Sequence, residues 1–519
     1  MQTTAAMIRR WAAERPDRPA LRWDGHEMTF RQLDERSSRV AQALAAAGVG
    51  PGDRVAVLDK NSPEQVELFF GAAKLNAVPT PVNFRLAPPE VAVIVNDSGA
   101  PVFVVGHEFA PLVEAIAGDL GDTRIVIIDD ARPDDPDSFA GWRDAHPADD
   151  PQAPQAPDDV AYQLYSSGTT GRPKGVQLTQ ANLDAGLALY PDAMGLGPDS
   201  VSLVAMPLFH IGGGGWLLAG LALGATSVLV RDIVPADLVD LLERDGITHG
   251  FLVPAVLQFM LAVPGVADHD FSRLHALLYG ASPISEQVLS DSIRTFGCEF
   301  LQAYGLTETT GTVVLLPAAD HDPAGPNRHR LRAAGLPVAG STVRVVDAAT
   351  GEDAAVGAVG ELWISGPTVM KGYWNLPEAT EEAIRPGGWF RSGDAGYFDE
   401  DGYLYLYDRV KDMIVSGGEN VYPAEVENAL MSHPGVSDVA VIGVPDERWG
   451  ETVKAMVVRA PGPEATEAEL IACCRDRLAV FKCPTSVDWL DALPRNPSGK
   501  VLKKDLRAPY WTGRERLIG

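Results

Sequence analysis

Cysteine and positive charge are scarce in this chain. Its 519 residues include four cysteines, and 43 Lys+Arg stand against 70 Asp+Glu, for a formal charge of −27 at neutral pH. The shortage of cations argues against a nucleic-acid footprint or adhesion to anionic lipid, both of which need a clustered basic surface. Cys298, Cys473, Cys474 and Cys483 show no metal or redox spacing. An adjacent pair such as Cys473-Cys474 seldom bridges, so a reducing cytoplasm is expected. The opening MQTTAAMIRRWAAERPDRPALRW has no uninterrupted apolar stretch and therefore no signal peptide is read; its second half reads as a surface helix and strand. Long apolar runs are also rare. In 201–230 the one ionisable side chain is His210, but Pro207 and six glycines break the run into pieces suited to buried strands and a helix. No transmembrane segment is expected there.

What is present is an ordinary globular composition, 46% hydrophobic and 22% charged, in a chain long enough for two or more domains. Residues 409–519 carry 15 basic and 16 acidic side chains, so nearly all of the negative charge falls on 1–408. Two domains with different surfaces are expected, 1–408 and 409–519. From Pro494 onward seven basic residues accompany two acidic ones, a local cationic tail. In the larger part, the β-branched runs RVAVLD (54–59), VFVV (102–105) and RIVIID (124–129) alternate with helical patterns such as SPEQVELFFGAAKL (62–75), which is α/β layering. Residues 129–159, with ten Asp and six Pro, read as an exposed connector.

That connector ends just before YSSGTTGRPKG (165–175), a stretch rich in glycine and hydroxyls and closed by a lysine, which reads as a phosphate loop. It is not a P-loop: Pro173 precedes Lys174 and offers no N–H, and Gly175 follows it with no hydroxyl for a metal. A flexible surface turn is the bland alternative.

Further motifs stand in order along the chain: PLFHIGG (207–213), YGASP (279–283), YGLTE (304–308), GWFRSGD (388–394), YDRVKDMIVSGGENVYPAEVE (407–427) and PRNPSGK (494–500). Together with the loop they resemble the adenylate-forming superfamily, and the acyl-CoA synthetases in particular, from about residue 10 to about residue 510. The resemblance implies a large N-terminal α/β domain of several subdomains and a small mobile C-terminal α+β domain. It also implies a reaction: a carboxylate attacks the α-phosphate of ATP, pyrophosphate leaves, and the acyl group passes from the adenylate to the thiol of coenzyme A. Attack at that phosphorus asks the loop to hold the departing phosphates, not to lock Mg²⁺ against the last of them.

The resemblance also assigns roles. Ser166, Ser167, Thr169 and Thr170 would offer hydroxyls, Gly168 a close backbone approach, and Lys174 a charge. Tyr304, followed by Gly305, would stack on adenine, with Gly280, Ala281 and Ser282 opposite. Thr307 would bond the α-phosphate and Glu308 would hold Mg²⁺. Asp394 would accept from the ribose hydroxyls and Arg409 would donate to them, a mere ion pair between the two being the alternative. His210 matches an aromatic gate between acyl group and nucleotide, and Lys411 a hinge where the family often has Asp. Lys500 matches the lysine that bridges carboxylate and α-phosphate. After adenylation the small domain would turn and bring Gly417 and Gly418 to the site for pantetheine, while Trp449 either stacks the CoA adenine or packs in the core.

The acyl side is less explicit. No Asp or Glu in 201–230 can bind an α-ammonium, and Arg231 is the first cation after the gate, so an uncharged medium, long or bulky cyclic acid is favoured over an amino acid or a dicarboxylate. Gly212 to Gly215 either clear a pocket wall or serve a tight backbone turn. A ligase that loads a separate carrier protein is the alternative function, and a non-catalytic relative the third.

Overall fold

The computed structural model describes residues 1–519 except 130, 133–134, 167–172, 283, 348–349, 410–411, 417–418, 422, 447–449, 463–464, 479, 496–500 and 513–519; at 407–409, 415, 419–420 and 450 it describes the backbone alone. Five sheets organise it. The largest has nine strands, of which six are mutually parallel: Glu299–Leu306, Ala276–Gly280, His249–Leu252, Val201–Val204, Thr226–Leu229 and Pro19–Trp23. A second, four-stranded sheet is wholly parallel and contains the three runs read as strands, now Arg54–Leu58, Val102–Gly106 and Arg124–Ile128.

Both faces of this second sheet are covered, and its sequence shows how. Val55, Val57, Val102 and Val104 pack on Val40, Leu44 and Leu68 of the helices on one side, while Ala56, Leu58, Phe103 and Val105 pack on Val91, Ile94 and Val95 on the other. That is the two-residue period of a strand buried on both faces. The helix expected over 62–75 forms as Pro63–Lys74, capped by the Ser62 hydroxyl, which accepts from Gln65 N–H, with proline in the first turn.

Two expectations are corrected. The opening strand is not on the surface: Pro19–Trp23 is an inner strand of the nine-stranded sheet, with Leu21 paired to Ser227 and fully buried, and Trp11 donating to the Ala222 carbonyl. The charged residues between masked an apolar pair, Ala20-Leu21. Nor is 129–159 wholly a connector. Ser138 caps a short helix, Phe139–Asp144, which sends Phe139 and Trp142 into the core beneath Val55 and Val102. Its aspartates and prolines flank two aromatics whose burial decides the local fold.

Leu404–Arg409 still pairs with Trp389–Phe398; beyond it the chain builds an α+β unit. Val436–Asp446 and Gly450–Arg459 form a long hairpin; Val439, Val441, Val453 and Ala455 face the helices Pro423–Met431 and Glu467–Arg475, while Ile442, Val444 and Met456 face Leu493 and Leu506. The run 201–230 folds as strand, helix Ile211–Ala222 and strand, and among the described residues no helix is long and apolar enough to cross a membrane.

Candidate functional site

The two ends of the phosphate-loop sequence lie on paired antiparallel strands. Val160–Ser166 and Lys174–Thr179 pair down to Ser166 opposite Lys174, and Ser167, Gly168, Thr169 and Thr170 lie outside the described residues. The loop end of the strand pair is tied to the four-stranded sheet and to the helix Pro88–Ser98: Tyr165 donates to Asp97 Oδ2 of that helix at 2.7 Å, Arg54 of the sheet donates to Gln163 and Gln177, and its guanidinium lies 3.3 Å from the centre of the Trp374 ring. Burial pushes the Arg54 guanidinium down to about 10, still cationic at neutral pH.

YGLTE occupies the end of the strand Glu299–Leu306 and a single turn, Thr307–Thr309. Gly305 is required there, since a Cβ would stand 1.6 Å from the Gly311 carbonyl oxygen where the strand doubles back. The buried Thr309 hydroxyl accepts from Leu306 N–H and closes the turn. Glu308 is thereby aimed at the hairpin, and its Oε1 accepts from the Ser166 hydroxyl at 3.2 Å and the Tyr373 hydroxyl at 3.1 Å. Lys174 Nζ lies 4.8 Å from the centre of the same Tyr373 ring. Tyr373 carried no signal in the sequence reading; its ring joins the loop lysine to the candidate metal ligand.

Tyr304 lies on the strand beside Gly280, whose parallel neighbour in register is Ala303, and Ala281 and Ser282 follow at the C-terminal edge of the sheet. Open parallel sheets bind ligands at that edge. Gly280 packs too closely for a side chain, a Cβ meeting the Ala303 carbonyl at 2.4 Å. Two non-glycine residues here adopt left-handed backbone, Ala281 (φ 67°) and Thr310 (φ 57°), a costly conformation that clusters at ligand sites. The Tyr304 hydroxyl donates to Asp394 Oδ2 at 2.9 Å, so the candidate adenine and ribose residues meet. Asp394 is the register partner of Arg409, whose side chain lies outside the description, as do Lys411, Gly417, Gly418, Trp449 and Lys500.

His210 caps the helix Ile211–Ala222: its carbonyl accepts from Gly213 and Gly214 N–H, and its ring leans on Phe209, which meets Phe84 edge-on. Burial first, and the Arg85 cation second, push the imidazole down to about 4, so it is neutral at physiological pH. Between pH 6.5 and 4 the unfolded chain takes up a proton that the folded one refuses, so this group withdraws stability as pH falls through that window. His210→Phe should therefore lose less stability than wild type between pH 7 and pH 5 in urea unfolding; equal losses would place the titration elsewhere.

Two of the four glycines, Gly213 and Gly214, are there for close packing. A Cβ on Gly213 would stand 2.1 Å from the Pro207 carbonyl oxygen and 2.4 Å from that of Met206, and one on Gly214 would stand 2.4 Å from the Tyr162 hydroxyl. Gly213 and Gly214 let the helix begin against the backbone of 206–208, whereas a Cβ on Gly212 would meet the Phe251 ring and one on Gly215 the Ile211 side chain. Gly213→Ala should cost about 1–3 kcal/mol in urea unfolding, the range for overpacking. An unchanged midpoint would mean that the backbone there yields.

The sequence pattern of the AMP-binding enzymes matches residues 8–374, and that of the AMP-binding enzyme C-terminal domain matches 425–500. The chain belongs to the AMP-binding enzymes. It is 42% identical over 523 aligned residues to the fatty acid–[acyl-carrier-protein] ligase ScoC of Streptomyces coeruleorubidus, covering 100% of this chain and 98% of that protein. A feruloyl-CoA synthase of an Amycolatopsis species is 41% identical, with 95% and 96% covered. The crystal structure of the anthranilate CoA ligase AuaEII with anthranoyl-AMP superposes with a TM-score of 0.90 at 29% identity, covering 98% of this chain and 97% of that one. This AMP-binding enzyme is an AMP-forming acid–thiol ligase that uses ATP to activate a carboxylate.

Proposed function

We propose that the enzyme converts an uncharged carboxylic acid, with ATP, to an acyl-adenylate and then to its CoA thioester. The observation that carries the substrate class is the state of Arg231, the first cation after the gate in the sequence. Arg231 is bonded to the buried Asp59 carboxylate at 2.9 Å and to Glu108, so its charge is matched within the fold and is not presented to a second carboxylate. Tyr304, Gly280, Ala281 and Ser282 would hold adenine; Asp394 and Arg409, the ribose; Ser166 to Thr170 and Lys174, the departing phosphates; and Thr307, the α-phosphate. Lys500 would offset charge as the two anions meet, and the segment after residue 408 would swing about Lys411 to present Gly417, Gly418 and Trp449 to CoA.

Mg²⁺ binds nucleotide sites through one or two carboxylates plus phosphate oxygens, and Glu308 fits that demand: a carboxylate fixed by two hydroxyls and facing the phosphate hairpin. When bound, the ion would neutralise charge on the phosphates. A carrier protein as acceptor is the second reading, supported by the full-length likeness to a carrier-protein ligase. Pyrophosphate release across a panel of aliphatic, aryl, amino and dicarboxylic acids tests the substrate class; turnover confined to dicarboxylates would sink it. Competition between CoA and a holo-carrier protein for the adenylate decides the acceptor.

A further inference from the structure

We propose that Tyr373 is a positioning residue that holds the phosphate-loop lysine and the metal-binding carboxylate in separate, ready positions, its ring taking Lys174 and its hydroxyl taking Glu308. The inference rests on the reading of Glu308 as the Mg²⁺ ligand.

Tyr373 is held by its backbone before its side chain acts. Gly372–Tyr373 adds a third strand to the phosphate hairpin, with Tyr373 opposite Val176. Lys371 N–H donates to the Gln177 carbonyl and Trp374 N–H to the Gly175 carbonyl, while Met370 N–H donates to the carbonyl of Glu308 itself. Of the five residues 370–374, two thus donate to the strand leaving the loop and one to the turn bearing the acid. Thr380 Oγ1 accepts from Tyr373 N–H at 2.9 Å, and Trp374 is anchored by its indole N–H to the Asp97 carbonyl and by the Arg54 guanidinium on its face. The Tyr373 ring is buried and has little freedom.

That fixed ring meets two opposite charges on different elements. An ammonium and a carboxylate facing each other in a partly buried cleft attract strongly, and a direct ion pair would have to be broken before phosphate and metal could bind. The tyrosine offers each a weaker partner, the negative π face for Lys174 and the hydroxyl for Glu308. Both hydroxyl bonds fall on Oε1, from Tyr373 and from Ser166, which fixes the rotation of the carboxylate. Partners of a metal ligand commonly change metal affinity 10–100-fold when removed.

The test measures binding of the non-hydrolysable α,β-methylene analogue of ATP by calorimetry, with EDTA and across a Mg²⁺ titration, in the full-length enzyme. Wild type should bind it more tightly with Mg²⁺. Tyr373→Phe keeps the ring and loses the hydroxyl: its Mg²⁺ midpoint should rise about tenfold while binding in EDTA stays within twofold of wild type. Tyr373→Leu loses both and should also weaken the EDTA binding. A Mg²⁺ midpoint within twofold of wild type in Tyr373→Phe would overturn the proposal, as would equal losses with and without the ion, which mark a merely structural residue. If wild-type binding itself ignored Mg²⁺, the reading of Glu308 would fail first, and this proposal with it. The conservative Phe variant carries the test even if the Leu variant does not fold.

Discussion

Glu308→Gln should lower pyrophosphate release about 10²-fold while leaving the protein folded. The fold is spared because Oε1 of Glu308 acts only as an acceptor, from the Ser166 and Tyr373 hydroxyls, and an amide oxygen can accept both. The carbonyl of residue 308, which anchors Met370, is untouched. What is lost is the negative charge. A neutral amide is a poor ligand for a hard divalent ion, and the phosphates then carry their charge unneutralised as the acid approaches. The loss should persist at saturating Mg²⁺ if charge is the cause, and circular dichroism and the thermal midpoint should match wild type. Release within twofold of wild type under those conditions would remove Glu308 from the reaction.

How far the sequence discloses this arrangement depends on the range of each signal. The helix at 62–75 and the strands at 54, 102 and 124 are legible because their cues are local: a serine cap, a proline in the first turn, and runs of β-branched residues at the length of a strand. Ser166 and Lys174 are likewise visible as a Gly-rich loop, and the hairpin places them opposite each other. Tyr373 was invisible because it lies about 200 residues from the loop it serves. Nothing in GYWN says that its hydroxyl will meet Glu308; only the pairing of Gly372–Tyr373 with Lys174–Thr179 says so. The glycines at 212–215 left two readings open for the converse reason. Composition shows that side chains are missing but not what stands in their place, which at Gly213 is the backbone of Met206 and Pro207. The burial of Phe139 and Leu21 was likewise set by partners distant in sequence, against local composition that pointed outward.

Lys500→Ala should separate the two half-reactions. If Lys500 acts only while carboxylate and α-phosphate are being joined, its removal should slow acyl-adenylate formation roughly 10²-fold or more, the scale for loss of one preorganised group that offsets developing charge. Thioester formation from synthetic acyl-adenylate and thiol should continue near the wild-type rate if the segment that carries Lys500 is by then turned away, as proposed. Lys411→Pro gives the converse. Proline would fix φ at the residue proposed as the hinge, so this variant should form adenylate, seen as one equivalent of pyrophosphate, yet fail to release thioester. The pair of variants discriminates between a domain that alternates and a site that is complete in one arrangement. In the second case both losses would fall equally on both half-reactions, with each variant folded by circular dichroism. The adenylation chemistry would then stand without the rotation.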